Sequence, residues 1–305
     1  VTGCGSGTIY LTKVIDSEKM NTTAKKIRSK LENIQRELTE IINSVEIYYR
    51  DFSSGGVVVL GPNYHWKELS AAQKSTQINL KKEYELVSEL LSLFFRNGPK
   101  DLNLKLEQAD KKIRDWIEFE SAWYISTDKI KNEKKLREHF GELFELIDIL
   151  DVHNSDDIIL IPDTNSLIQS CDPIKYKKAV SNEEYVFLLI PTVLQELDEL
   201  KILHRNENVR DKAKKAITRI KGWRNQGSLI DGVTVNKTIT VKTIANEPDM
   251  NNTLSWLDKD NSDDRIVAKV IEVQNEFPAS RVVLVTGDIN LQNKAEAALI
   301  EYSEI

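Results

Sequence analysis

Cysteine is almost missing from this chain: Cys4 and Cys171 are the whole complement in 305 residues. Two thiols are too few for a disulfide framework or a thiolate metal site, so a reducing, cytoplasmic setting is expected. Long apolar runs are missing too. No stretch approaches the roughly 20 residues of a membrane helix, and the opening VTGCGSGTIYLTKV has no basic segment leading into an apolar one, so neither a membrane span nor a signal peptide is expected. Nor is there an excess of positive charge. With 42 Lys+Arg against 48 Asp+Glu, the net charge is -6 and the pI is near 5.5. The sum does not mark a nucleic-acid binder, but it leaves room for a local basic patch.

What is present is ordinary globular material, 40% apolar and 30% charged, in a length that suggests two domains. No internal repeat is evident. Residues 1–17 read as a flexible lead-in, with Met20 as a second candidate start. Residues 18–152 read as an all-α helical-bundle domain. Ile27, Leu31, Ile34, Leu38, Ile41, Val45 and Tyr48 recur at steps of four and three, one apolar stripe along a long helix. DFSSGG at 51–56 stops it, and VVVLGPNYHW is a loop or a short strand. A second helix is expected from Glu68 to Phe95, with Ile78, Tyr84, Val87, Leu91 and Phe94 on its buried face. A third carries Leu106, Ala109, Ile113, Trp116 and Trp123, and a fourth carries Leu136, Phe140, Leu143, Ile147 and Leu150. Short connections predict an antiparallel bundle. The stripe from Ile27 is either its internal seam or a surface for a homodimer or a protein partner. His65 and His139 are isolated and read as packing or surface residues.

The polar stretch DVHNSDD, 151–157, marks a boundary, and residues 157–305 follow a different pattern. IILIP, VFLLIP and RVVLVTGD are short, continuous apolar runs, as expected of strands buried on both faces of a parallel sheet. TITVKTI adds a further strand, and helical stretches alternate with the strands. The prediction is a three-layer α/β domain with a central parallel sheet.

The carboxylates are the chemistry of this half. Asp163 ends the first strand, on the side where open parallel sheets bind ligands. Glu196 lies in the helix after the second strand, Asp264 opens a later helix beside Asp263, and Asp288 follows the last clear strand. Taken singly, each acid is explained as a helix cap, a turn residue or a solvated side chain. Taken together, they put an acid from four segments at one rim, and converging carboxylates repel unless protons or cations neutralise them. Carboxylates without Cys or His are hard oxygen donors, suited to one or two Mg²⁺ or Mn²⁺ ions. Such a site can activate water and offset charge on a phosphate.

PDTNSLI, PTVLQELDELK, NSDDRIVAKV and VVLVTGDINLQNKA, in this order, resemble the four acidic motifs of PIN-domain ribonucleases. The resemblance covers about residues 157–305 and does not extend to the helical half. It implies a PIN-like nuclease domain with Asp163, Glu196, Asp264 and Asp288 as catalytic and metal-binding acids. Asp263 is an alternate for Asp264, and Asn165, Thr286 and Asn290 are supporting polar residues. The implied activity is Mg²⁺- or Mn²⁺-dependent endoribonuclease cleavage of single-stranded RNA. The family's closing strand is expected to be short or missing.

RNENVRDKAKKAITRIKGWRN is locally basic and is either a solvated helix exterior or a phosphate-contacting ridge. Lys201, Arg205, Arg210, Lys214 and Arg265 are the candidate nucleic-acid-binding residues. Trp223 is a base-stacking or a core residue. Two other readings use the same acids: a PIN-fold module that binds nucleic acid or protein without cutting, and a receiver-like domain phosphorylated on Asp163.

Overall fold

The computed structural model describes residues 22–50, 62–151, 157–278 and 280–305. The expectations for residues 1–17, Met20, the turn at 51–56, the run at 57–61 and most of the boundary at 151–157 lie outside the described residues.

Helix α1 (Thr22–Ser44) buries Ile27, Leu31, Ile34, Leu38 and Ile41 along the expected stripe, with Val45 buried just beyond its end. The helix stops before Tyr48. The β-branched and aromatic run there suits a strand, and β1 (Ile47–Tyr49) pairs antiparallel with β2 (Tyr64–Trp66). Helix α2 (Ala71–Phe95) starts at a capping box, in which Ser70 Oγ accepts from Gln73 N and Gln73 Oε1 accepts from Ser70 N. That cap sets the start three residues after Glu68. Ile78 is 56% exposed, and Leu80, Tyr84, Val87, Leu91 and Phe95 form the buried face. Helix α3 (Lys100–Ile117) buries Leu106, Ala109, Ile113 and Trp116, whereas Trp123 lies beyond its end and is 71% exposed. Helix α4 (Lys129–Asp151) buries Leu136, Phe140, Leu143 and Ile147.

Each of these helices packs on the next, and α4 closes back on α1. The apolar stripe of α1 is therefore covered within the chain. His139 is buried in this bundle, where its Nδ1 accepts from Trp116 Nε1 at 2.9 Å. Burial lowers its pKa, as a neutral acceptor ring requires.

The second half runs β3 (Ile158–Pro162), α5 (Thr164–Gln169), a 3-10 turn (Pro173–Tyr176), α6 (Lys177–Val180), β4 (Tyr185–Leu189), α7 (Pro191–Leu203) and α8 (Glu207–Arg224). It continues with β5 (Val233–Val235), β6 (Ile239–Thr243), α9 (Ser262–Glu276), β7 (Arg281–Val285), α10 (Ile289–Ala297) and β8 (Glu301–Ser303). The sheet order is β5-β6-β4-β3-β7-β8. All neighbours are parallel except β5 and β6. β3 is buried at every position, as its unbroken aliphatic run requires. The last helix ends at Ala297, because Leu299 takes a positive φ of 57° and Ile300 N turns back to Ala295 O. That turn releases β8, which pairs with β7 from Val283↔Glu301 to Val285↔Ser303. The closing strand is therefore present, at three residues.

The helical half docks through α1 and α2 against α9 and β7. Lys26 Nζ donates to Ile300 O at 2.9 Å, Gln274 Nε2 donates to Thr23 Oγ1, and Ser255 N donates to Glu89 Oε1 at 2.6 Å. No helix among the described residues is long and apolar enough to cross a membrane.

Candidate active site

The parallel strands β3 and β7 lie side by side in register, Pro162 opposite Val285. Their carboxyl ends therefore deliver Asp163 and the Thr286–Asp288 turn to the same place. Both acids cap a helix. Asp163 Oδ1 accepts from Ser166 N at 2.6 Å and opens α5, while Asp288 Oδ1 accepts from Asn290 N at 2.8 Å and opens α10. The cap explanation holds, and a cap fixes the carboxylate's rotamer while leaving it further lone pairs.

Thr286 joins the two acids. It is fully buried, its Oγ1 donates to Asp163 Oδ2 at 2.6 Å, and the same oxygen accepts from Asp288 N at 3.0 Å. A second threonine, Thr164, donates its hydroxyl to Glu196 Oε2 and so ties α7 to the start of α5. The sequence reading did not single out Thr164. Its position directly after Asp163 was the available signal.

A cleft of about 450 Å³ opens at this edge, and Asp163, Glu196, Asp263 and Asp288 all line it, with Thr164 and Asn165. Glu199 adds a further acid, and Leu200, Leu203, His204, Ile266 and Leu291 form the rest of the wall. No described residue of the helical half lines it. Among the described residues, no lysine or arginine forms an ion pair with Asp163, Glu196 or Asp288.

The third corner is different. Asn261 caps α9, accepting from Asp263 N at 3.0 Å and Asp264 N at 3.4 Å, so neither acid is the cap. Asp263 faces the cleft, whereas Asp264 is buried and is not among the lining residues. Asp264 Oδ2 accepts from Asp258 N at 2.9 Å, and its Oδ1 lies 2.7 Å from Lys294 Nζ. The same ammonium is 3.4 Å from Asp263 Oδ2 and 3.3 Å from Asn261 Oδ1. Burial works against the charge on Lys294, but its hydrogen bond to Asp264 and the two neighbouring carboxylates outweigh that and raise its pKa. Lys294 also escaped the sequence reading. It sits on the helix that Asp288 caps, less than two turns on.

The remaining expected residues are dispersed. Asn290 is exposed, and only its backbone N–H touches the site, through Asp288. Lys201 pairs with Asp198. Arg210 donates to the carbonyls of His204 at 2.7 Å and Arg205 at 3.1 Å, stapling the α7–α8 turn. Arg205 is exposed. Lys214 faces a separate groove and pairs with Asp211 at 3.3 Å. The Nε of Arg265 is buried without a hydrogen-bond partner. Trp223 is buried against Phe187, which makes it a core residue.

The cleft's donors are carboxylate, hydroxyl and amide oxygens with one imidazole, a set suited to a hard divalent cation. Among the described residues, no three His, Cys, Asp or Glu side chains stand as a ready-made cage for an ion. The donor chemistry fits such an ion.

No curated protein matches the chain. A protein-family model described as PIN domain matches residues 160–304. Its span begins within β3 and ends just after β8, so it takes in the whole sheet and all four acidic segments. The C-terminal half of this chain is a PIN domain.

Proposed function

We propose that this chain is a metal-dependent endoribonuclease that hydrolyses phosphodiester bonds of single-stranded RNA in a cytoplasmic setting. The observation that carries the reading is the convergence of Asp163, Glu196, Asp263 and Asp288 from four segments on one cleft, three of them with no ion pair among the described residues. Unpaired carboxylates brought together cost stability and are kept where the charge is used. PIN domains are generally nucleases, and the match over residues 160–304 agrees with that chemistry.

Asp163, Glu196 and Asp288, with Asp263 or Asp264 at the third corner, would hold Mg²⁺ or Mn²⁺, one or two ions. When bound, such an ion supplies charge neutralisation for the phosphate and a lowered pKa for the attacking water. The chain's own residues do the positioning. Thr286 fixes Asp163 from one side and Ser166 N from the other, so its carboxylate is preorganised. Thr164 does the same for Glu196. Asn165 is exposed at the cleft and presents an amide donor to a phosphate oxygen. Leu200, Leu203, Ile266 and Leu291 give the sugar and base an apolar wall. In the reaction, water adds to phosphorus, one P–O ester bond breaks, and the proton lost by water balances the one gained by the leaving oxygen.

The test is to incubate pure protein with labelled single-stranded RNA and DNA panels, with and without Mn²⁺. Mn²⁺-dependent RNA cleavage that is lost in Asp163→Asn supports the reading, and full activity in that variant overturns it. A second reading, a PIN-fold module that binds without cutting, draws on the lack of a ready-made cage among the described residues. Calorimetry showing no binding at millimolar Mg²⁺ or Mn²⁺ would favour it. Self-association or a protein partner through the helical half belongs to this proposal only through surfaces other than the covered α1 stripe.

A further inference from the structure

A second cavity, of about 640 Å³, lies between the end of α5 and the middle of α8. Its floor is apolar, formed by Leu167, Ile168 and Ala216, and its α8 wall is cationic, with Lys212, Lys214, Lys215 and Arg219. Cys171 belongs to the floor. Its thiol donates to Ala216 O, and burial pushes its pKa up to about 12, so it stays neutral.

Two of the four cations are committed to neighbouring acids: Lys214 to Asp211 at 3.3 Å and Arg219 to Asp172 at 3.1 Å. Lys212 and Lys215 are exposed and have no acidic partner among the described residues. In a chain of net charge -6, two uncompensated lysines on one groove are a local reversal of sign that attracts an anion.

The groove and the acidic cleft are separate openings linked by two shared elements. Helix α5 opens in the cleft with Thr164 and Asn165 and closes in the groove with Leu167, Ile168 and Gln169. The α7–α8 turn carries Leu203 and His204 on the cleft side, and α8 then rises into the groove. At 1.5 Å per residue, α5 is about 9 Å long, which spans about two or three phosphates of a stacked strand.

We propose that the α5–α8 groove is a backbone-binding track for single-stranded nucleic acid on one side of the bond that is cut, with Lys212 and Lys215 as its phosphate contacts. The apolar floor takes the faces of sugars and bases, which gives tolerance of sequence rather than base readout. This rests on the reading of the cleft as a nuclease centre.

The test measures binding of a fluorescent single-stranded oligonucleotide across a salt series. It uses the full chain carrying Asp163→Asn, with and without Lys212→Gln and Lys215→Gln. Each lost phosphate contact lowers the slope of log affinity against log salt by about 0.7, so the pair should lower it by about 1.4. In the otherwise unaltered enzyme, the lysine pair should raise KM several-fold and leave kcat unchanged. An unchanged slope and KM, with far-ultraviolet circular dichroism showing the variant folded, overturns the track while the nuclease reading stands. A slope that falls in a protein that never cuts RNA supports the track and overturns the nuclease reading. Capture of poly-glutamate through the pair, in place of the oligonucleotide, overturns the track in favour of an acidic protein partner.

Discussion

The helical bundle and the cleft of the PIN domain treat their acids in opposite ways. In the helical half, acids are matched across helices, Arg28 with Asp148, Lys112 with Glu142 and Lys81 with Glu118, and within α3, Arg114 with Asp110. At the cleft of the PIN domain, Asp163, Glu196 and Asp288 have no such partner among the described residues, and only the Asp263–Asp264 corner has its lysine. Both halves bury aliphatic seams equally well, so the difference is not one of core quality. Among the described residues, three cleft acids without an ion pair stand against paired acids in the bundle, and that contrast is what the proposed cation site rests on.

The comparison predicts which property each half governs. Phe140 is fully buried in the bundle, and Phe140→Ala should cost about 3–5 kcal/mol of stability. Chemical denaturation measures this, and kcat of the folded fraction should not change. Asp163→Asn should show the converse, a fall in kcat of about 100- to 1000-fold. Its unfolding midpoint should barely move, because an asparagine also caps a helix well. Equal destabilisation in both variants would break the comparison.

Lys294→Met tests the one corner of the cleft where, among the described residues, the acids have a lysine. It leaves Asp264 buried without a counter-charge and should cost about 2 kcal/mol in metal-free buffer, less than a fully buried pair because the ammonium is partly exposed. Thermal melts with and without Mn²⁺ check it, and added Mn²⁺ should restore part of the loss. The pH dependence has a definite sign. The pKa of Lys294 is raised in the fold above its ordinary value of 10.5. Its contribution is therefore complete below that value and is lost as pH rises through the folded one. Denaturation midpoints should fall at strongly alkaline pH in the unaltered protein by more than in Lys294→Met. The smallest effect belongs to the exposed Arg36–Glu40 pair on α1, where Arg36→Ala should cost about 0.3 kcal/mol.

Much of this was legible in the residues. The seam of α1, the unbroken strands β3 and β7, and an acid just past the end of each follow from periodicity and run length alone. The errors lie where a neighbour sets the phase. The face of α2 was misplaced at Ile78, because its stripe is broad and the bundle selects Leu80, Leu90 and Phe95, with Phe94 half-buried beside them. β5 was missed because three residues make no pattern of their own, and only pairing with β6 fixes them. The basic residues proposed for RNA scattered because Arg210 and Lys201 are occupied by the protein itself.

The sequence by itself determined that two aliphatic strands are followed by acids and that two helices carry an acid near their starts, since composition and order decide which side chains occupy an element's end. Only the tertiary structure decided which carboxylate of the Asp263–Asp264 pair faces the cleft. Adjacent helical residues point about 100° apart, and the rotation of α9 is set by Ile266, Val267, Val270 and Ile271 seating against the rest of the fold. The same packing brings Lys294 from α10 onto that corner. Charge type is written locally, but its direction is a property of the whole core.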